Sequence, residues 1–159
     1  MPAEISGVPI AAKRSCFDHT PSRRVISEII PSPAIAGASE PHIAYDSCSG
    51  LLYLVPQYAG KLLYSMNPST GATVALATIP SGQISDGFCA DNSGHLYAAG
   101  TATGQQFLQY NIASNTWVVL PPPPQSVGNC GSCSVGDDGY LYFAGGCVST
   151  DQLMRIKLQ

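Results

Sequence analysis

Three glycine-centred turns recur along the chain at nearly equal intervals, and this repeat limits the possible folds more than any other feature. They are Ser49-Gly50-Leu51-Leu52-Tyr53, Ser93-Gly94-His95-Leu96-Tyr97 and Asp138-Gly139-Tyr140-Leu141-Tyr142, with the glycines 44 and 45 residues apart and the tyrosines keeping step. In each copy a short segment precedes the turn and an apolar run follows it: Leu52 to Val55, Leu96 to Ala99 or Leu141 to Ala144. That is the pattern of a tight β-hairpin, strands a and b of a unit. A third run, strand c, lies downstream: Leu62 to Met66, Phe107 to Asn111 and Leu153 to Lys157. In the first two copies a polar turn then leads into strand d, Thr73 to Leu76 and Thr116 to Leu120, and prolines follow. Four short strands at a period of roughly 44 residues match the blades of a β-propeller.

Composition agrees with this reading. Of 159 residues, 16 are Gly and 13 Pro, and only 11% are charged, which favours a closely turned all-β chain over a helical one. The predicted units are an N-terminal arm with a strand d over residues 1–41, blade 1 over 42–84, blade 2 over 85–128, and strands a to c of blade 3 over 129–159.

Some of these residues carry a family resemblance. Tyr142-Phe143-Ala144-Gly145-Gly146 resembles the double-glycine end of a Kelch second strand. Tyr110-Asn111 and Asn115-Thr116-Trp117-Val118-Val119-Leu120-Pro121 resemble the Tyr, Asn-x-Trp and Leu-Pro portion of a Kelch repeat. The double glycine shrinks to Ala99-Gly100 in the second copy and gives way to Leu54-Val55-Pro56 in the first, so the repeats are Kelch-like and divergent. The resemblance implies a propeller and roles in partner binding; a widely shared fold does not by itself specify function.

The third copy ends at strand c and lacks an outer strand. Residues 17–26 align with residues 66–75 once one residue is allowed, so the stretch from Val25 to Ile30 reads as a strand d that completes this blade. An unpaired strand edge is costly when buried and adhesive when exposed. Three blades fall short of the roughly four to eight that close a ring, so the expected arrangement is a ring closed by a second copy or by neighbouring subunits. Residues 1–16 and 31–41 have the composition of an arm held by partner chains, as in a virus particle or phage tail.

The expected partner contacts are Lys13, Arg14, Arg23 and Arg24 in the basic N-terminal region, Val25 and Ile26 on the arm strand, and Tyr58 and Tyr140 near turns. The structural repeat residues are Gly50, Gly94, Gly139, Tyr53, Tyr97, Tyr142 and Trp117, with the three tyrosines expected in the core between blades. A net charge of −3 argues against general nucleic-acid binding. The first 12 residues lack a signal-peptide pattern, and no apolar run reaches the roughly 18 residues of a membrane span, so the chain reads as soluble.

No cofactor is expected. Cys130-Gly131-Ser132-Cys133 is the one short-range cysteine pair and a weak metal candidate, because a zinc site needs further ligands that only Cys147 and the scattered His19, His42 and His95 offer. Cys89 and Cys133 read as small core residues on strand a. Asp46, Asp91, Asp137 and Asp138 sit at the hairpin turns, where carboxylates cap backbone N–H groups. No nucleophile elbow, phosphate loop or metalloprotease motif occurs. The sequence thus points to a non-enzymatic structural or protein-interaction subunit. A glycan-binding propeller is the alternative, and an enzyme with an axial-channel site is the least favoured reading.

Overall fold

The computed structural model describes residues 41–56, 62–80, 84, 87–101, 104–123, 131–145 and 153–158. Lys13, Arg14, Arg23, Arg24, Val25, Ile26, Tyr58, Cys130 and the arm strand expected to start at Val25 lie outside them.

The described residues form three antiparallel sheets in chain order. Sheet I contains β1 (His42–Asp46), β2 (Leu51–Val55), β3 (Leu62–Met66) and β4 (Thr73–Thr78), each paired with the next. Sheet II repeats the plan with β5 (Phe88–Ala90), β6 (His95–Thr101), β7 (Gly104–Asn111) and β8 (Thr116–Leu120). Sheet III has β9 (Ser132–Val135), β10 (Tyr140–Ala144) and β11 (Leu153–Lys157), with β10 central. Among the described residues no strand pairs with the outer edge of β11. This is the partial-propeller, all-β architecture that the repeat implied.

The turn chemistry explains the recurrence of the glycines. Gly50, Gly94 and Gly139 have φ of 69°, 100° and 76°, a region where a Cβ would meet its own backbone. An aspartate braces each hairpin. The Asp46 carboxylate accepts from Ser49 N at 2.8 Å, Asp91 from Ser93 N at 2.7 Å and His95 N at 3.0 Å, and Asp138 from Tyr140 N at 3.1 Å.

Strand register makes the three sheets superimposable residue by residue. Ala44 pairs with Tyr53, Cys89 with Tyr97 and Ser134 with Tyr142; one step along, Ile43 pairs with Leu54, Phe88 with Ala98 and Cys133 with Phe143. Because side chains alternate across a strand, these two sets point to opposite faces of each sheet.

Two cores result, one at each junction. Between sheets I and II, Tyr53, Val55 and Leu63 pack with Phe88, Leu96, Leu108 and Tyr110. Between sheets II and III, Tyr97, Ala99 and Phe107 pack with Leu141 and Phe143. Phe107 stacks on Tyr97 at 6.1 Å between centroids and meets Phe143 edge-on at 5.7 Å.

The innermost strands approach most closely. A Cβ placed on Gly87 would lie 2.6 Å from Cys133 Cβ and 3.0 Å from a Phe143 ring carbon, and neither neighbour can swing away. Gly87→Ala is therefore expected to lower the unfolding free energy by about 1–3 kcal/mol through overpacking, read as a lower denaturant midpoint at unchanged slope. A midpoint unchanged within error would show that the strands stand further apart.

Candidate interaction surfaces

The sequence expectations for individual residues meet the structure unevenly. Tyr53 and Tyr97 are buried at the sheet junctions, as an interblade role requires. Tyr142, at the equivalent position, is only half-buried, which corrects its assignment to the core. Its ring faces away from sheet II, where the described residues place no further sheet.

Burial marks the difference electrostatically. Desolvation pushes the Tyr53 and Tyr97 hydroxyls above their ordinary pKa, and Tyr110 is raised to about 12 mainly by the same cause. Tyr142 is also raised, but chiefly because its hydroxyl donates to the Asp138 carboxylate at 2.5 Å. That same bond is the largest of the causes holding Asp138 below the usual carboxylate range. Tyr140 is half-buried rather than a free turn residue: the Arg155 guanidinium lies 4.9 Å from its ring centroid.

The cysteine expectation is corrected too. Cys133 forms a disulfide with Cys89, Cα to Cα 5.6 Å, so its sulfur is not free to ligate a metal beside Cys130. The two cysteines lie on strands a of adjacent sheets, 44 residues apart, one repeat period. A local Cys-x-x-Cys spacing is visible in sequence, whereas this pairing exists only once the sheets are stacked. Cys48 is also disulfide-bonded. The described residues contain no group of three or more His, Cys, Asp and Glu side chains that could hold a metal ion. None of the helix type, long and apolar enough to cross a membrane, occurs among them either.

Asn92, which the sequence reading left without a role, and Asn115, read there in a turn and in the Kelch-like stretch, join sheets I and II. Asn92 and Asn115 adopt φ of 55° and 54°, which Asn tolerates better than most residues. Asn92 Oδ1 accepts from Ser47 N at 2.9 Å. Asn115 Oδ1 accepts from Ala77 N at 2.9 Å and from the Tyr110 hydroxyl at 2.7 Å. Trp117 packs on Tyr110 at 5.0 Å between centroids and points its Nε1 toward Ala77 O at 3.5 Å. Asn115 and Trp117, recognised in sequence from the Kelch-like stretch, thus act at a sheet junction.

Among the described residues, no further sheet covers the two outer faces of the three-sheet stack. On sheet I, Ile43 and Tyr45 of β1 are each 53% exposed, while Leu54 and Met66 behind them are buried. On sheet III the outward set is Ser132, Ser134, Ala144, Leu153, Arg155 and Lys157, all exposed, with Tyr140 and Tyr142 half-buried. Beside β11 lies a cleft of about 410 Å³ between sheets II and III, lined by Phe107, Leu120, Pro122, Ile156 and Leu158 among others. Gln109 supplies a polar side chain there.

A chain of three consecutive, register-matched sheets stacked face to face belongs to the propeller class of folds. Among solved structures it is similar to YjhT, a propeller protein, at 23% identity and a TM-score of 0.57, covering 74% of this chain and 36% of that one. It is also similar to U3-55K at 14% identity and a TM-score of 0.41, covering 72% of this chain and 36% of that one. The chain therefore spans little more than a third of either protein. No protein-family model matches the chain, and no curated protein matches it. At this identity the likeness to YjhT bears on fold alone.

Proposed function

We propose that this protein is a non-enzymatic structural and protein-interaction subunit, a rigid arc of propeller sheets that works by docking its outer faces onto other subunits. The observation that carries this reading is the exposure of Ile43 and Tyr45 at the positions where sheet II buries Phe88 and Ala90. Exposed apolar groups on a sheet face of this kind mark interaction surfaces. The aspartates that catalysis would need are engaged in turn hydrogen bonds, which favours binding over turnover.

The reading is tested by the size of the species the chain forms in its source cells. The native chain is expected to sediment in a complex larger than its own mass, and Ile43→Lys with Tyr45→Lys to release it while its circular dichroism is unchanged. Sedimentation at the mass of one chain in both cases would overturn the reading. So would glycan binding at repeat-spaced sites that persists in the variant.

A further inference from the structure

We infer that this chain folds and works in an oxidising compartment outside the cytosol, and that the bond between Cys89 and Cys133 is a permanent strut made while sheets II and III come together. The inference concerns where the protein acts, so it goes beyond the interaction reading and does not depend on it. It rests on the bonded cysteines, and no leader segment enters it.

The first observation is the state of the cysteines. All three that lie among the described residues, Cys48, Cys89 and Cys133, are disulfide-bonded, and none of them is left as a thiol. Bonds of this kind form and persist in extracellular, periplasmic and secretory spaces, whereas the cytosol keeps thiols reduced. Disulfides that do occur in the cytosol are usually transient, with a catalytic or redox-sensing task.

The second observation is that Cys89 and Cys133 lack the setting such a task needs. Reactive cysteines are accessible and sit where positive charge or a helix N-terminus favours the thiolate. Cys89 is only 6% exposed, on β5 between the buried Phe88 and Ala90. It belongs to a cluster with Tyr97, Phe107, Leu141 and Phe143, and Cys133 packs against the same cluster. Apolar surroundings of that kind disfavour the thiolate and make a cysteine inert.

The third observation is geometric. The two Cα atoms are 5.6 Å apart, inside the window of about 4.4–6.8 Å that a disulfide spans without moving the backbone. The strands are already so close here that Gly87 has no room for a Cβ beside Cys133. Exchange requires a thiolate to reach one of the sulfurs, and the packed junction closes that approach. The bond is therefore made before the stacking is complete, in the compartment where the chain folds. One of the two cysteines attacks an external disulfide carrier as its thiolate and releases one carrier thiol. The other then displaces the second carrier thiol, so that one carrier disulfide is reduced to two thiols while the two protein thiols become the disulfide.

The test reads the thiols where the protein is made. Source cells are quenched in acid, their proteins are alkylated in denaturant with N-ethylmaleimide, and the chain is digested without reductant. The segments around Cys89 and Cys133 are expected as one linked peptide with almost no label on either cysteine, and the chain itself in the extracytoplasmic or extracellular fraction. The Cys89→Ser variant, whose Cys133 has lost its mate, should carry label at Cys133 and so prove that the reagent reaches it. The purified native chain should keep the linked peptide in dithiothreitol and lose it once guanidinium is added.

Label on both cysteines in the quenched cells, or recovery of the chain with cytosolic enzymes, overturns the compartment. Equally fast reduction with and without guanidinium overturns the permanent strut and makes the pair a reducible one. In either case a chain that still sediments in a larger complex leaves the interaction reading standing, so the two fail separately.

Discussion

Replacing Phe143 by alanine will lower the unfolding free energy by about 3–5 kcal/mol, a large part of the roughly 5–15 kcal/mol that keeps an ordinary domain folded. Phe143 is fully buried at the centre of the junction between sheets II and III, edge-on to Phe107 and close to the backbone of Gly87. Its removal leaves a cavity bounded by strands that are hydrogen-bonded on both sides, so the site relaxes little. Denaturant unfolding followed by far-ultraviolet circular dichroism measures the change. Val119→Ala, on an exposed position of β8, is expected to cost about 0.5 kcal/mol or less and serves as the reference. Equal losses in the two variants would mean that sheets II and III are not packed through Phe143.

Removing the disulfide by changing Cys89 and Cys133 together to serine will cost about 4 kcal/mol. The bond closes a segment of 44 residues, and the chain-entropy estimate for a loop of that length is about 4 kcal/mol at 25 °C. The bond joins the inner strands of two sheets whose other links are side-chain packing, so its loss falls on one junction rather than on the hairpins. Peptide mapping of the unreduced protein should recover the segments around Cys89 and Cys133 as one linked species. The double variant should unfold at a clearly lower denaturant concentration, with the slope altered by the freer unfolded chain. Titratable thiols at both positions in the oxidised native protein would contradict the pairing.

These two effects show where the fold was legible in the chain and where it was not. The hairpins were legible because their causes are local: Gly50, Gly94 and Gly139 permit left-handed turns, and the neighbouring Asp side chains satisfy the turn N–H groups. Strands β3, β8 and β11 match the apolar runs residue for residue, since turn residues or proline bound them closely. Strand β5 was harder to read, having only three residues, Phe88–Ala90. The candidate surfaces were less legible still. Tyr142 shares its repeat position with Tyr53 and Tyr97, and nothing local distinguishes it from them. The difference lies in what stacks on the sheet, and that is not written near the residue.

The same division holds for the whole molecule. The amino-acid sequence by itself determined that the chain makes four-stranded repeats, because turn conformation and alternating burial are properties of a few neighbouring residues. Only the tertiary structure decided which face of each sheet is covered, that Cys89 meets Cys133, and that Asn92 and Asn115 tie sheet II to sheet I. Those contacts join residues about 40 or more positions apart, and the stacking of whole sheets brings them together.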